Sequence, residues 1–105
     1  MDRIATFKQF IADKPEDPFP RYGLAMEYKK QGQLEDACVA FADLTSRVPD
    51  YVPAYLMYGN ALEAAERAAE ADAIYRKGIE VSTAAGDAHA RNELEAALAD
   101  LSYSE

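Results

Sequence analysis

The residues of this chain that could do chemistry are few and far apart. His89 is the only histidine and Cys38 the only cysteine among 105 residues. Nucleophilic catalysis needs a base held beside its nucleophile, and zinc sites need ligands at characteristic spacings. The chain also lacks an EF-hand loop, a Gly-rich phosphate loop and the H-E-x-x-H pattern. We therefore predict no catalytic residue, no metal and no cofactor, and a protein that is not an enzyme.

The individual reactive groups have simpler interpretations. We expect His89 to lie exposed near the start of the last helix and Cys38 to be a small apolar filler on a helix. A single cysteine also excludes an internal disulfide. The carboxylates Glu63, Glu66 and Glu70 follow one helical region, which is typical of a solvated face.

Composition and charge narrow the choice of partner and compartment. Half of the residues are hydrophobic and 29% are charged, so the chain can bury a core, and its formal net charge is −8. An acidic surface repels phosphate backbones and anionic lipids, so we predict neither nucleic acid nor membrane as a partner. No apolar run is long enough for a signal peptide or a membrane span, and we expect a cytoplasmic protein.

Local signals divide the chain into helices. A first helix over residues 2–13 ends before Pro15, because the residue that precedes a proline is pushed out of the α region. Asp17 is suited to cap the next helix, and Gly32 can adopt the left-handed conformation that ends it. Pro49 ends the third helix.

Residue types also recur along the chain at a fixed spacing. Ala37 and Ala71 are 34 residues apart, and so are Phe41 and Tyr75; Phe7 precedes Phe41 by the same interval. A constant period of this length indicates stacked helical hairpins.

The period decides how the alanine-rich segment over residues 61–73 is interpreted. Helix propensity alone predicts one unbroken helix there. The period instead requires a turn near Glu66, 34 residues after Gly32, and we follow the period. Further along, Gly86 is suited to end a helix and Asp87 to cap the last one.

The pattern resembles that of the tetratricopeptide repeat family, whose motif runs W-x2-L-G-x2-Y, then A-x3-F, then P. A unit counted from Pro18 supplies Leu24, Ala25, Tyr28, Gly32, Ala37, Phe41, Leu44 and Pro49. A unit counted from Val52 supplies Tyr55, Tyr58, Gly59, Leu62, Ala71, Tyr75 and Gly78. Arg21 stands where the family has tryptophan, and Glu66 and Thr83 stand where it has the turn glycine and the closing proline.

The resemblance implies an all-α, right-handed α-α superhelix of about six helices in a single domain. Its parts would be an N-terminal helix that resembles half a repeat (1–14), repeat one (18–51), repeat two (52–85) and a C-terminal capping helix (87–102). Because roughly three units are needed for stability, we expect loss of either terminal segment (1–14 or 87–105) to destabilise the domain severely.

The resemblance also implies a binding surface, because in this family the first helix of each hairpin lines a concave groove that takes peptides or partner helices. By repeat position this groove would be lined by Phe19, Tyr22, Met26, Lys29, Lys30, Leu56, Met57, Asn60, Glu63 and Arg91. Aromatic and methionine side chains are adaptable contact residues, and an asparagine can hydrogen-bond a peptide backbone. The alternative for Tyr22 and Leu56 is that they pack against neighbouring helices.

Some family members hold a C-terminal carboxylate with Lys, Asn and Arg side chains in this groove. The corresponding positions here are Tyr22, Met26, Met57, Asp87 and Arg91. Four of these five are unsuitable, so we do not expect the groove to bind the acidic tails of heat-shock chaperones.

The sequence thus predicts an adaptor or scaffold that docks a protein or peptide partner in the groove. The alternative is a self-assembling or permanently complexed structural subunit, with a homodimer formed through the groove or through the repeat edges. The partner's identity does not follow from the sequence.

Overall fold

The computed structural model describes residues 2–101. Its elements are α1 (Arg3–Asp13), α2 (Pro18–Lys30), α3 (Leu34–Arg47), α4 (Pro53–Ala64), α5 (Ala68–Ala84) and α6 (Ala88–Asp100). These six helices, with no strand in the described part of the chain, confirm the predicted all-α repeat fold. Residue 102, where we predicted the last helix to end, lies outside the described residues.

Side-chain caps begin three of the helices. Asp17 accepts a hydrogen bond from the backbone N–H of Phe19 at 3.0 Å, and Asp87 accepts one from Ala90 at 3.0 Å. Each carboxylate satisfies a backbone donor that has no partner within the first helical turn. Both predicted caps are confirmed, and Asp2 caps α1 in the same way.

The three turns that follow α2, α4 and α5 share one backbone geometry. Gly32, Glu66 and Gly86 have φ angles of 78°, 62° and 71°, in the left-handed region. After each, a backbone N–H reaches back to a carbonyl five residues earlier, as from Arg67 to Leu62 at 2.8 Å. This arrangement satisfies carbonyls left free at a helix C-terminus. The turn predicted near Glu66 from the period is therefore confirmed.

Replacing Glu66 by glycine should stabilise the protein by about 0.5–1 kcal/mol. A residue with a Cβ pays about 1–2 kcal/mol in the left-handed region, and the greater freedom of glycine in the unfolded chain offsets part of that gain. Thermal unfolding should show a melting temperature higher by about 4 °C. Gly32→Ala, at the equivalent turn, should have the opposite sign; a lower melting temperature for Glu66→Gly would contradict this account.

The helices form two layers. Consecutive helices pack against one another through short turns, so that neighbours run antiparallel. α4 also contacts both α2 and α6, whereas α1, α3 and α5 make no contact with one another. The inner layer of α2, α4 and α6 is therefore the more closely spaced one, and its outward face is the concave side. No helix within residues 2–101 combines the length and apolar character needed to cross a bilayer.

Aromatic rings join successive hairpins in the core. Phe41 of α3 is fully buried and lies between Tyr22 of α2, at 6.4 Å between ring centroids, and Tyr58 of α4, at 5.8 Å. Tyr75 of α5 is also fully buried, and its ring lies so close to Gly59 that a Cβ added there would come within 2.1 Å of it. Glycine at that position is what allows α4 and α5 to approach.

Arg21 replaces the family's tryptophan by forming polar contacts. Its guanidinium donates to the carbonyl oxygen of Pro15 through Nη2 at 3.0 Å, and it pairs with Asp43 at 2.8 Å. The residue 34 positions later, Tyr55, donates its hydroxyl hydrogen to the carbonyl of Pro49 at 2.5 Å. The two units thus hold the same proline carbonyl with different side chains, so this departure from the motif does not disturb the hairpin.

Candidate partner-binding groove

Two cavities lie along the concave side of the molecule. The N-terminal cavity, about 560 Å³ in volume, lies between α1 and α2 and is lined by Arg3, Phe7, Phe19, Tyr22, Gly23, Met26, Glu27, Lys29 and Lys30. The central cavity, about 210 Å³, lies among α2, α4 and α6 and is lined by Tyr22, Val52, Pro53, Leu56, Met57, Ala90, Glu93 and Leu94. Tyr22 belongs to both and therefore marks where they meet.

Seven of the ten predicted groove residues line these two cavities. The N-terminal cavity contains the five from the first unit: Phe19, Tyr22, Met26, Lys29 and Lys30. Leu56 and Met57 of the second unit line the central cavity. The repeat positions therefore bring together a mostly apolar, concave surface.

Tyr22 serves the core and the groove together. Its ring lies 5.6 Å from that of Tyr51 and 6.4 Å from that of Phe41, and burial raises the pKa of its hydroxyl. Leu56 likewise packs against the core while lining the central cavity. Packing against neighbours, the alternative weighed for both residues, thus coexists with exposure to the groove.

Asn60 and Glu63 are engaged by the core rather than placed in either cavity. The hydroxyl oxygen of Tyr75 lies 2.7 Å from Oδ1 of Asn60 and also contacts the carboxylate of Glu63. Burial and the neighbouring carboxylate raise the pKa of Tyr75, so its hydroxyl stays protonated and holds both side chains. With its oxygen occupied, Asn60 has its amide N–H groups left to offer a peptide.

Arg91 lies apart from the other nine predicted residues. It lines a small cavity at the turn between α5 and α6, beside Ser82 and Asp87, and its guanidinium lies 3.8 Å from Glu95. α6 instead contributes the neighbouring Ala90, and Leu94 one turn later, to the central cavity. The apolar stripe of α6, which includes both residues, is the sequence signal for that face.

The N-terminal cavity also contains residues that repeat position did not identify. Arg3 of α1 pairs with Glu27 at 2.9 Å, and Glu27, although largely buried, also accepts a hydrogen bond from Gln31 at 3.0 Å. The Gln31 hydrogen bond, with help from Arg3, holds the pKa of Glu27 below its usual value. Phe7 reaches the cavity because α1 packs along α2, which its interpretation as a half repeat could have indicated.

The end of this cavity carries uncompensated positive charge. Neither Lys29 nor Lys30 has a carboxylate of residues 2–101 within 4.0 Å, although the chain as a whole carries a net charge of −8. Two free ammonium groups beside an apolar cavity favour a partner with negative charge at that point.

A third cavity continues the apolar surface past the other end of α1. This distal cavity, about 310 Å³, is lined by Phe10, Asp13, Lys14, Asp17, Phe19 and Pro20. Its two aromatic side chains are unusually exposed, Phe10 at 51% and Phe19 at 66%. Phe19 also lines the N-terminal cavity, so the two cavities are continuous.

Comparison with solved structures identifies the repeats. The crystal structure of a tetratricopeptide repeat domain protein from Salinibacter ruber is 35% identical, with a TM-score of 0.76, over 81% of this chain and 94% of that one. A solution structure of such a domain protein from the same organism is 35% identical, with a TM-score of 0.80, over 88% and 96%. The chain belongs to the tetratricopeptide repeat family. Comparisons with protein-family profiles and with curated proteins gave no match.

A third tetratricopeptide-like neighbour shows the fold alone. The solution structure of a protein from Bordetella parapertussis has a TM-score of 0.83 at 20% identity, over 96% of this chain and 88% of that one. Its backbone agreement at low identity shows that the hairpin arrangement tolerates extensive change in sequence.

Within this tetratricopeptide repeat domain, the positions that hold a carboxylate in some relatives are occupied by other contacts. Tyr22 and Met26 line the N-terminal cavity with apolar surface, and Met57 does the same in the central cavity. The carboxylate of Asp87 caps α6. These side chains supply no cluster of donors for a terminal carboxylate.

The two residues singled out for possible chemistry have structural surroundings. The side chain of His89 is 88% exposed and lies 3.3 Å from Glu93. Cys38 is buried, and burial raises the pKa of its thiol, which disfavours the reactive thiolate. Among residues 2–101, no three His, Cys, Asp or Glu side chains are grouped so as to hold a metal ion.

Proposed function

We propose that this chain is a non-enzymatic interaction module of the cytoplasm that docks a peptide or helix of a partner protein along the concave groove. The observation that carries the proposal is the pair of cavities that meet at Tyr22, both mostly lined by apolar side chains. The main contacts would come from Phe19, Tyr22, Met26, Leu56 and Met57. Asn60, Glu63, Lys29, Lys30 and Arg91 would lie at the rim.

The chemistry of the groove suits recognition of a segment rather than catalysis. Methionine side chains adapt to irregular apolar surfaces, and aromatic rings supply a large buried area at small cost in conformational entropy. Exposed apolar patches of this kind commonly mark interaction surfaces. The amide of Asn60, held by Tyr75, is positioned to donate a hydrogen bond to the bound segment.

Met26→Glu and Met57→Glu should each weaken partner binding by about 30-fold or more, because each places a charge against the bound apolar segment. The measurement is a native pull-down with quantitative mass spectrometry. Val39→Glu is a matched control, since Val39 is 70% exposed on α3 and lines none of the cavities described above. Melting temperatures should accompany the binding data because both methionines are partly buried. Partners retained by both methionine variants would contradict the proposal.

Self-association is the second candidate, supported by the exposed Phe10 and Phe19 at one end of the molecule. Mutual repulsion between two copies that each carry a charge of −8 opposes it. Light scattering over a range of concentrations distinguishes the two: a concentration-independent monomer supports the partner-binding function, and a dimer supports self-assembly.

A further inference from the structure

The apolar surface of α1 lacks the covering that equivalent positions receive elsewhere in the molecule. Phe10 corresponds, at intervals of 34 residues, to Leu44 of α3 and Gly78 of α5. Leu44 is fully buried and Gly78 is buried, whereas Phe10 is 51% exposed. Position within the repeat is the same in all three, so the difference arises from what packs on each helix.

The covered cases show which element does the covering. A Cβ added at Gly78 would come within 2.7 Å of Tyr55 of α4 and 2.9 Å of Leu94 of α6, so two successive inner helices enclose that position. In the same way α3 packs against both α2 and α4. α1 packs against α2 on one side, and no helix among residues 2–101 lies on its other side.

The uncovered surface forms a continuous apolar strip, which we define as Phe7, Phe10, Phe19, Tyr22 and Met26. These side chains line the adjoining N-terminal and distal cavities, and the rings of Phe7 and Phe10 lie in edge contact at 6.5 Å. α1 has 11 residues, which at 1.5 Å each gives a strip about 16 Å long. That length suits a helix of about three turns.

Charges at the two ends of the strip give a docked helix a direction. An inner helix in this place would run antiparallel to α1 and parallel to α2, so its C-terminus would lie near Lys29 and Lys30. Its N-terminus would lie near Asp13 and Asp17, where Lys14 is the opposing charge. Cations favour a helix C-terminus and carboxylates a helix N-terminus, so this orientation is the favourable one.

We infer that an amphipathic helix of a partner protein, about three turns long and with acidic residues in its last turn, packs on the apolar strip and completes a hairpin with α1. The inference rests on the proposed function and specifies which part of the groove is used and by what.

A second copy of this chain is a poor occupant. The inner helix nearest a free end is α6, and its residues at the positions that α4 uses to pack on α5 are His89, Asn92, Glu93 and Ala96. α4 has Tyr55, Tyr58, Gly59 and Leu62 at those positions. Polar side chains facing the apolar strip would be desolvated without partners.

The test uses phage-displayed 16-residue peptides selected against the full chain. One library has an alanine-based helical framework with randomised positions, and the other is fully random. Selected peptides are synthesised with amidated C-termini, so that no terminal carboxylate contributes, and titrated by fluorescence anisotropy. The variants are Phe10→Glu with Val39→Glu as its control, and Lys30→Glu with Lys77→Glu as its control; all four wild-type residues are exposed.

We expect helical peptides with apolar residues at intervals of three and four and with acidic residues near the C-terminus. Phe10→Glu should weaken their binding by about tenfold or more and Lys30→Glu by about threefold, while both controls stay within about twofold. Failure to select any helical peptide, or selection of extended or basic sequences, would overturn the inference.

Other outcomes separate this inference from the proposed function. Peptides that tolerate Phe10→Glu but are lost with Met57→Glu would refute the α1 site and leave groove binding intact. Peptides or native partners unaffected by either substitution would refute both. A dimer in light scattering that Phe10→Glu dissociates would show that a second copy covers the strip, and would also overturn the inference.

Discussion

Replacing Tyr75 by alanine is expected to lower the free energy of unfolding by about 4 kcal/mol. The ring is fully buried between α4 and α5, and the backbone of Gly59 lies directly against it. Its removal leaves a cavity that two closely packed helices cannot readily close. Because small domains are stable by only about 5–15 kcal/mol, urea denaturation followed by circular dichroism should show a large fall in midpoint.

Tyr75→Phe separates the contribution of the ring from that of the hydroxyl. It keeps the buried ring but removes the hydrogen bonds to Asn60 and Glu63, and should cost about 1 kcal/mol. A cost for Tyr75→Ala no greater than that of Tyr75→Phe would show that the ring does not hold the hairpin together.

Alkaline pH gives an independent readout of the same side chain. Burial, reinforced by the contact with Glu63, raises the pKa of Tyr75 above its ordinary value of 10.0. A raised pKa means that the folded state binds the proton more tightly than the unfolded chain does. The stabilisation is therefore complete below pH 10 and is lost as the pH rises beyond it. Wild type should lose more stability over that range than Tyr75→Phe.

The positions of the turns could be predicted from the sequence because the repeat period carries information that local propensity lacks. Residues around Glu66 are good helix formers, and a window of a few residues favours continuation of the helix. The packing of Tyr75 against Gly59 requires a hairpin instead, and its energy exceeds the cost of placing a glutamate in the left-handed region. Tertiary packing thus overrides propensity at this turn.

The groove was only partly predictable, because repeat position specifies the face of a helix but not the neighbours of a side chain. Asn60 and Glu63 lie on the expected helix, yet the hydroxyl of a residue from the next helix engages both. Arg91 was assigned from a register that α6 follows with its apolar stripe rather than with its charged residues. Such contacts depend on side-chain lengths across a helix interface, which spacing alone does not encode.

Leu94→Ala is expected to lower the free energy of unfolding by about 3 kcal/mol, because this side chain is the fully buried contact through which α6 closes the core. Leu94 is 1% exposed and lies against Gly78 of α5. Chemical denaturation should report the loss. Asn92→Ala, an exposed neighbour on the same helix, is the matched control and should change stability by less than about 0.5 kcal/mol.

The same substitution tests why the two ends of the array differ. At the C-terminal end α6 covers α5 with Leu94 and presents polar residues such as Asn92 and Glu93 outward, so that end needs no further helix. At the other end Phe10 remains half exposed, because α1 has an inner helix on one side only. If Leu94→Ala costs no more than Asn92→Ala, then α6 does not act as a cap. The contrast that makes the N-terminal end the open one for a partner helix would then lose its basis.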